Sequence, residues 1–416
     1  MKRTIITYEH RKLVRGKGKD DLLKAEELSA LTAFHARGGH LYYDLIHRGV
    51  KFKSYVGVLR VGDLTVEVLP KVDDHPDENV WRNRLLDMLA VVPELSAAHP
   101  TSSQLRTRPN SILEHYLFLF ANELETLLRG GLAKAYRQRT GNRTALRGKL
   151  ELSKHLTENM VHKERFYVRD QVYNFDRPLN RILGQALRLA GRLATSAALR
   201  NRLGELSLRF PELPDQQPVT EGTFLRLRYD RRTEAYRPAI QIARLLLLNY
   251  HPDLQSGRRH VLALLFNMNQ LWEGFLLHSL RRYLPGYRAS GKIAGGKYWI
   301  GPMKATLIPD IVIYQDEKPV AILDAKWKLP KNNRPSPSDL QQLFTYAGHF
   351  EVDRVALVYP SAHAARAQVQ GQFVRSGAKA DLLWLAVEEG TTGAWMERLA
   401  KKIEGWVADE PSAESF

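Results

Sequence analysis

Residues 307–314 read LIPDIVIY and residues 320–328 read VAILDAKWK, joined by the polar stretch Gln315-Asp316-Glu317-Lys318-Pro319. Both flanks are apolar runs rich in β-branched residues and bounded by turn formers, the composition of two buried strands of one hairpin. With the turn centred near Glu317, antiparallel pairing sets Asp310 opposite Asp324. Lys326, two residues on, projects from the same face as Asp324. Two carboxylates and an ammonium thereby converge at one end of otherwise apolar strands. Unpaired charges are costly to bury there, and a divalent cation is the natural partner for the acids. This is the layout of a metal-dependent phosphodiesterase.

The flanking segments add to it. Glu273 lies on an expected helix just upstream, in FNMNQLWE (266–273), and the segment DLQQLFTY (339–346) puts Gln342 and Tyr346 on one helical face at i, i+4. Asp310 and Asp324, with the carbonyl of Ala325 and Glu273, form the expected donor set for one or two Mg²⁺ ions, with Mn²⁺ as a substitute. Such a cation lowers the pKa of a bound water and neutralises charge on a scissile phosphate. Lys326 is placed to position that water or to stabilise developing charge as a point cation. Gln342 and Tyr346 are placed to orient the phosphate or the lysine. The structural alternative is a salt-bridged Asp324–Lys326 pair at a sheet edge, with Asp310 as a turn residue. The bare motif does not separate these readings; its context on paired strands favours the catalytic one.

Outward from the hairpin, the chain divides into three parts. Residues 1–95 hold a small β-rich domain, with strands at Thr4–Thr7, Tyr55–Val61 and Leu64–Leu69, a Gly62-Asp63 turn and a helix around 78–92. Residues 95–110, rich in Ser, Thr and Pro, read as a linker. Residues 96–257 read as mainly helical, with helices over about 111–131, 177–202 and 233–249. Residues 258–416 carry the hairpin in an α/β domain, a mixed sheet flanked by helices. The apolar runs VLALLFNM (261–268) and ARLLLLN (243–249) have the length of core helices and fall short of a membrane span. The fold class expected is thus multidomain α+β.

A chain of 416 residues exceeds one ordinary domain, and 44% hydrophobic with 26% charged residues supports folded cores. The net charge of +17 suits a polyanionic partner. There is no cysteine, which excludes disulfides and cysteine-based zinc sites. The start MKRTIITYEHRKL has charge but no apolar core, so it is not a secretory signal, and a cytoplasmic location is expected.

Positive charge is concentrated. Residues 134–149 hold Lys134, Arg137, Arg139, Arg143, Arg147 and Lys149 without one acid, and Arg226, Arg228, Arg231 and Arg232 form a second group. Contact with DNA phosphates is the functional reading, carried by Arg137, Arg139, Arg143, Arg147 and Lys149; a solvated face or an acidic protein partner is the alternative. The stretch Gly291-Lys292-Ile293-Ala294-Gly295-Gly296-Lys297 fits a phosphate-loop spacing, but Tyr298 stands where Ser or Thr should bind Mg²⁺ and a strand, not a helix, follows. No nucleotide is expected on this chain.

Several segments together resemble the McrC family, the nuclease subunit of McrBC-type restriction systems specific for 5-methylcytosine. They are LRGKLELSKHL (146–156), YNFDRPLNRILGQAL (173–187), FLRLRYDRRTEAYRPA (224–239), FNMNQLWEGFL (266–276) and the hairpin itself. The resemblance implies a PD-(D/E)XK nuclease fold for the C-terminal domain, with Asp310, Asp324 and Lys326 catalytic and Glu273, Gln342 and Tyr346 supporting. It also implies an AAA+ McrB-like GTPase ring as partner, engaged by the N-terminal part, which stimulates its GTP hydrolysis. Double-stranded DNA would then be the substrate of a modification-dependent endonuclease used in phage defence. The competing expectations are a non-cleaving regulatory subunit that activates the GTPase, and a RecB-like end-dependent exonuclease.

Overall fold

The computed structural model describes residues 3–16, 22–70, 78–92, 111–214, 219–251, 260–292, 297–299, 305–328, 330, 334–361, 368–387 and 390–408. The expected linker at 95–110 and most of the glycine-rich stretch at 291–297 lie outside them. The chain begins with β1 (Arg3–Tyr8), β2 (Lys12–Val14), α1 (Ala25–Ala36), β3 (Tyr43–Ile46), β4 (Gly49–Phe52), β5 (Tyr55–Val61), β6 (Leu64–Leu69) and α2 (Glu78–Val91). The Gly62-Asp63 turn joins β5 to β6, with Gly62 at φ 60°, a left-handed conformation that glycine adopts at little cost. β1 lies parallel to β6, from Arg3 opposite Leu64 to Tyr8 opposite Leu69. Ile5, Leu31, Phe34, Tyr43, Phe52, Leu59 and Val66 close the core beneath these strands.

The middle of the chain holds α3 (Ile112–Gly130), β7 (Ala135–Arg143), β8 (Lys149–Leu150), α4 (Leu152–Glu158), β9 (Phe166–Asn174), α5 (Pro178–Leu193), α6 (Ala197–Arg209), α7 (Glu221–Leu225), α8 (Arg237–Leu248) and β10 (Tyr250–His251). Two sequence expectations change here. The basic run at 134–149 lies on a three-stranded sheet, β7-β9-β8, inside a region read as mainly helical. The single helix expected over 177–202 is two, because Ser196 caps a new start: its hydroxyl accepts from Leu199 N. The Glu114 carboxylate fixes that break by accepting from Thr195 N at 2.6 Å and Ser196 N at 3.2 Å.

The remainder comprises β11 (Val261–Asn267), α9 (Met268–Tyr283), β12 (Arg288–Gly291), β13 (Lys297–Trp299), β14 (Ala305–Thr306), β15 (Ile311–Gln315), β16 (Lys318–Ala325), α10 (Pro337–Phe350), β17 (Arg354–Ser361), β18 (Lys379–Ala386) and α11 (Thr392–Ala408). The run at 261–268, expected as a core helix, is β11. It pairs antiparallel with β5, from Val261 opposite Val61 to Asn267 opposite Tyr55. Gly57 allows this close approach: at φ 132° a Cβ there would stand 2.1 Å from the Leu264 carbonyl oxygen.

β1, β6, β5 and β11 therefore belong to one sheet, and β12-β15-β16-β17-β18 form a second. In the second, β12, β15 and β16 are mutually antiparallel, whereas β16, β17 and β18 run parallel. Parallel neighbours need a crossover, and α10 supplies it between β16 and β17. The chain divides into two compact units, 1–96 with 252–416 and 97–251. The segments 1–95 and 258–416, separated in the sequence reading, thus fall in one unit. The architecture is mixed α/β in more than one unit, and among the described residues no helix is long and apolar enough to cross a membrane.

Candidate active site

The hairpin of β15 and β16 turns at Asp316 and Glu317, both left-handed at φ 47° and 65°, so the reversal is of the I′ kind that matches strand twist. Gln315 faces Lys318 and Tyr314 faces Pro319, and a register shift follows before Ile313 meets Ala321. Pro319, which has no N–H to give, sits beside this irregularity, where strands tolerate proline. The regular ladder ends with Ile311 opposite Leu323. One step further out, Asp310 stands opposite Asp324, and Ala325 N donates to Asp310 Oδ2 at 2.9 Å. Asp324 is 1% exposed.

Lys326 continues the strand, its backbone N–H donating to Val358 O at 2.9 Å. Its Nζ lies 2.7 Å from Asp324 Oδ2 and 3.6 Å from Asp339 Oδ1. It also donates to Gln342 Oε1 at 3.4 Å. Gln342 Nε2 in turn donates to Tyr346 OH at 2.8 Å, and that hydroxyl donates to Ile308 O at 3.2 Å. α10 delivers these groups on one face at i, i+3 and i+7, starting from Asp339 in its first turn. Ser336 caps the helix by accepting from Asp339 N at 3.1 Å and donates to Asp339 Oδ2 at 2.6 Å. Asp339 received no role in the sequence reading, although its spacing from Gln342 and Tyr346 was the signal that could have found it.

The carboxylates repel one another. Burial, with Asp324 and Glu273 nearby, raises the Asp310 pKa from 3.8 to about 7. Burial also raises Asp324, partly offset by the Lys326 ammonium. For Lys326 burial acts downward, but Asp324, Asp339 and Asp310 together hold it above its ordinary value. Glu273, on α9, is turned toward Lys292, 3.4 Å from Oε1 to Nζ. Among the described residues no three Asp, Glu, His or Cys side chains group as a metal cage. Two carboxylates and a backbone carbonyl, completed by water, still suit Mg²⁺, which keeps several waters and takes few protein ligands. The hard-oxygen donors and the repulsion felt by Asp310 fit such a cation.

The floor is aromatic. Trp327, next to Lys326, packs edge-on against Trp272 at 5.7 Å, and Phe275 lies 4.4 Å from Trp395. α9 thus serves both the site, through Glu273, and the core behind it.

The basic residues lie in the other unit. Arg137, Arg139 and Arg143 are on β7, Lys149 is on β8 and Arg147 is between them. Arg139 pairs with Asp170 at 3.0 Å, and Arg137 pairs with Asp176. Parts of the family-like segments serve the fold here. Asn180 donates to the carbonyls of Ala133 at 3.0 Å and Phe175 at 2.8 Å, and accepts from Tyr236 OH at 3.0 Å.

The chain is similar in fold to McrC as seen in a refined half-complex from a tetradecameric assembly of Thermococcus gammatolerans McrB AAA+ hexamers with bound McrC. The TM-score is 0.75 at 21% identity, over 97% of this chain and 100% of that one. A second match is to a chain of the cryo-EM structure of the Thermococcus gammatolerans McrBC complex, with TM-score 0.52 and 24% identity over 69% of this chain and 89% of that one. No curated protein matches the sequence. The McrBC 5-methylcytosine restriction system component family matches residues 50–360, well over half the sequence, and the chain belongs to that family.

Proposed function

We propose that this protein is the Mg²⁺-dependent DNA endonuclease subunit of a GTP-driven restriction complex, with a PD-(D/E)XK nuclease in its C-terminal part. The observation that carries the reading is the end of the β15–β16 hairpin, where Asp310 and Asp324 face each other and Lys326 lies 2.7 Å from Asp324. Family membership supports it. So does the assembly of the Thermococcus relative with McrB AAA+ hexamers, which makes a McrB-like GTPase ring the proposed partner.

Asp310, Asp324 and the Ala325 carbonyl would hold the cation, with Glu273 as a further carboxylate at its edge. When bound, Mg²⁺ supplies a water of lowered pKa and charge neutralisation at the phosphate. Lys326 then acts as a point cation beside the attacked phosphate, and Gln342 fixes its ammonium in position. Tyr346, tied to Ile308 O, anchors Gln342 in turn. The modification dependence implied by the family name would lie in target choice, whereas these residues supply the cut. A location in the cytoplasm follows from DNA as substrate.

The test is cleavage of methylated and unmethylated closed circular plasmid by this protein with a McrB-like GTPase, GTP and Mg²⁺. Linear product that disappears with Asp324→Ala, while GTP hydrolysis stays accelerated, is the expected result. Accelerated GTP hydrolysis with no cutting would instead make the chain a regulatory subunit. Cutting confined to linear DNA would make it an end-dependent exonuclease.

A further inference from the structure

The 97–251 unit contains a half-open cavity of about 520 Å³ between the start of α5 and the segment at 219–228. Four guanidinium groups line it: Arg177, Arg181, Arg226 and Arg228. Two of them are engaged, Arg181 by Asp176 and Arg177 by Asp230 at 3.9 Å. Among the described residues, Arg226 and Arg228 have no carboxylate partner, and both are exposed at the cavity mouth. The apolar side chains of Ile182 and Leu227 line the same cavity.

Two uncompensated arginines at one concavity repel each other, and an anion is the ligand that relieves this. A cavity of this size exceeds what one free phosphate fills, and its apolar side suits the sugar or base attached to it. The positive surface also continues beyond the cavity. Asp176 bridges Arg181 to Arg137 of β7, so the cavity joins the arginine-bearing face of the β7-β9-β8 sheet through a single carboxylate. On that sheet Tyr136 and Tyr173 stack at 4.8 Å and are 73% and 47% exposed, as aromatic platforms for bases are.

The geometry points to this cavity as a seat for a backbone phosphate of a DNA strand, gripped by Arg226 and Arg228. The inference rests on the DNA-acting function proposed above and adds a DNA contact in the unit that lacks the carboxylate site.

The test is equilibrium binding of a short fluorescent DNA by the full chain, without divalent cation so that no strand is cut, over a salt series. Arg226→Ala/Arg228→Ala is expected to weaken binding about tenfold or more and to flatten the log–log salt slope by about 2, one per lost phosphate contact. Arg226→Lys/Arg228→Lys should restore most of the slope. Inorganic phosphate should compete only at concentrations where ionic strength alone explains it; tighter competition would make the cavity a free-anion site and overturn the proposal. Unchanged affinity and slope in the alanine variant would overturn it too, as would a glutamate-rich peptide whose binding, rather than that of DNA, depends on these arginines. If the wild type holds no DNA at all, the DNA-acting reading falls and takes this inference with it; binding that survives the alanine variant removes the cavity alone.

Discussion

Trp327 Nε1 donates a 2.5 Å hydrogen bond to Oε1 of Glu9, a residue 318 positions earlier in the chain. Both are buried, at 3% and 5% exposure. Glu9 extends the β1–β6 ladder, with its N–H on Leu69 O at 3.1 Å, and Trp327 follows Lys326 directly. The strand that carries the candidate site is thereby tied to the end of the first strand of the protein.

Removing this tie should cost stability. Trp327→Phe keeps the packing on Trp272 but leaves the buried carboxylate without its indole donor, a loss of about 1–3 kcal/mol. Glu9→Gln, which retains an acceptor, should cost less. Urea denaturation midpoints at constant m-value check the order; equal costs for the two variants would show that the hydrogen bond is immaterial.

Asp310 makes the metal-free protein pH-sensitive. Its folded pKa of about 7 lies above the ordinary 3.8, so the folded state holds a proton that the unfolded chain releases. That contribution to stability is complete below 3.8 and is lost as pH rises through about 7. Asp310→Asn should therefore raise the melting temperature in chelator at mildly alkaline pH and change it little in acid. Because proton and cation compete, Mg²⁺ affinity of the wild type should rise across the same window. Calorimetric titration giving a flat affinity would contradict this.

Lys326 and Asp339 should differ in importance. The Lys326–Asp339 pair is partly exposed and 3.6 Å apart, so Asp339→Asn should slow cleavage no more than about fivefold. Lys326→Ala should slow it about a hundredfold or more, and Lys326→Arg should not restore it, since a planar fork does not replace a point charge. Single-turnover cleavage rates of the assembled complex separate the three.

Glu114 should stabilise the helical unit. Burial pushes its carboxyl pKa up, but the hydrogen bonds from Thr195 and Ser196 outweigh this and hold it below 4.5. A depressed carboxylate stabilises above its ordinary pKa and loses that effect as pH falls through the folded value. Glu114→Gln should cost about 1 kcal/mol near neutral pH, reduced by partial exposure, and less in acid. Chemical denaturation followed by circular dichroism at the two pH values is the check.

What the sequence revealed depended on range. The hairpin was legible because β-branched runs, a polar turn and strict alternation all act over a few residues, and they set Asp310 opposite Asp324. The break between α5 and α6 was not, because half of its cause is a carboxylate on α3, 81 positions away. The run VLALLFN was ambiguous by nature: a short, fully apolar segment has no periodicity to tell strand from helix, and its pairing with β5 decides. The Glu9–Trp327 bond had no local trace at all. Arg226 and Arg228 were visible as charge, but only the fold shows that they flank a cavity.

The place of β11 bears on how the chain is made. Its partner β5 leaves the ribosome some two hundred residues earlier, and the whole 97–251 unit is synthesised in between. During that interval β5 has one bare edge rich in valine, open to pairing with any other strand. The later unit can complete itself while the first still waits. Slow translation of residues 97–251 should thus favour misassembly of the N-terminal strands rather than of the helices.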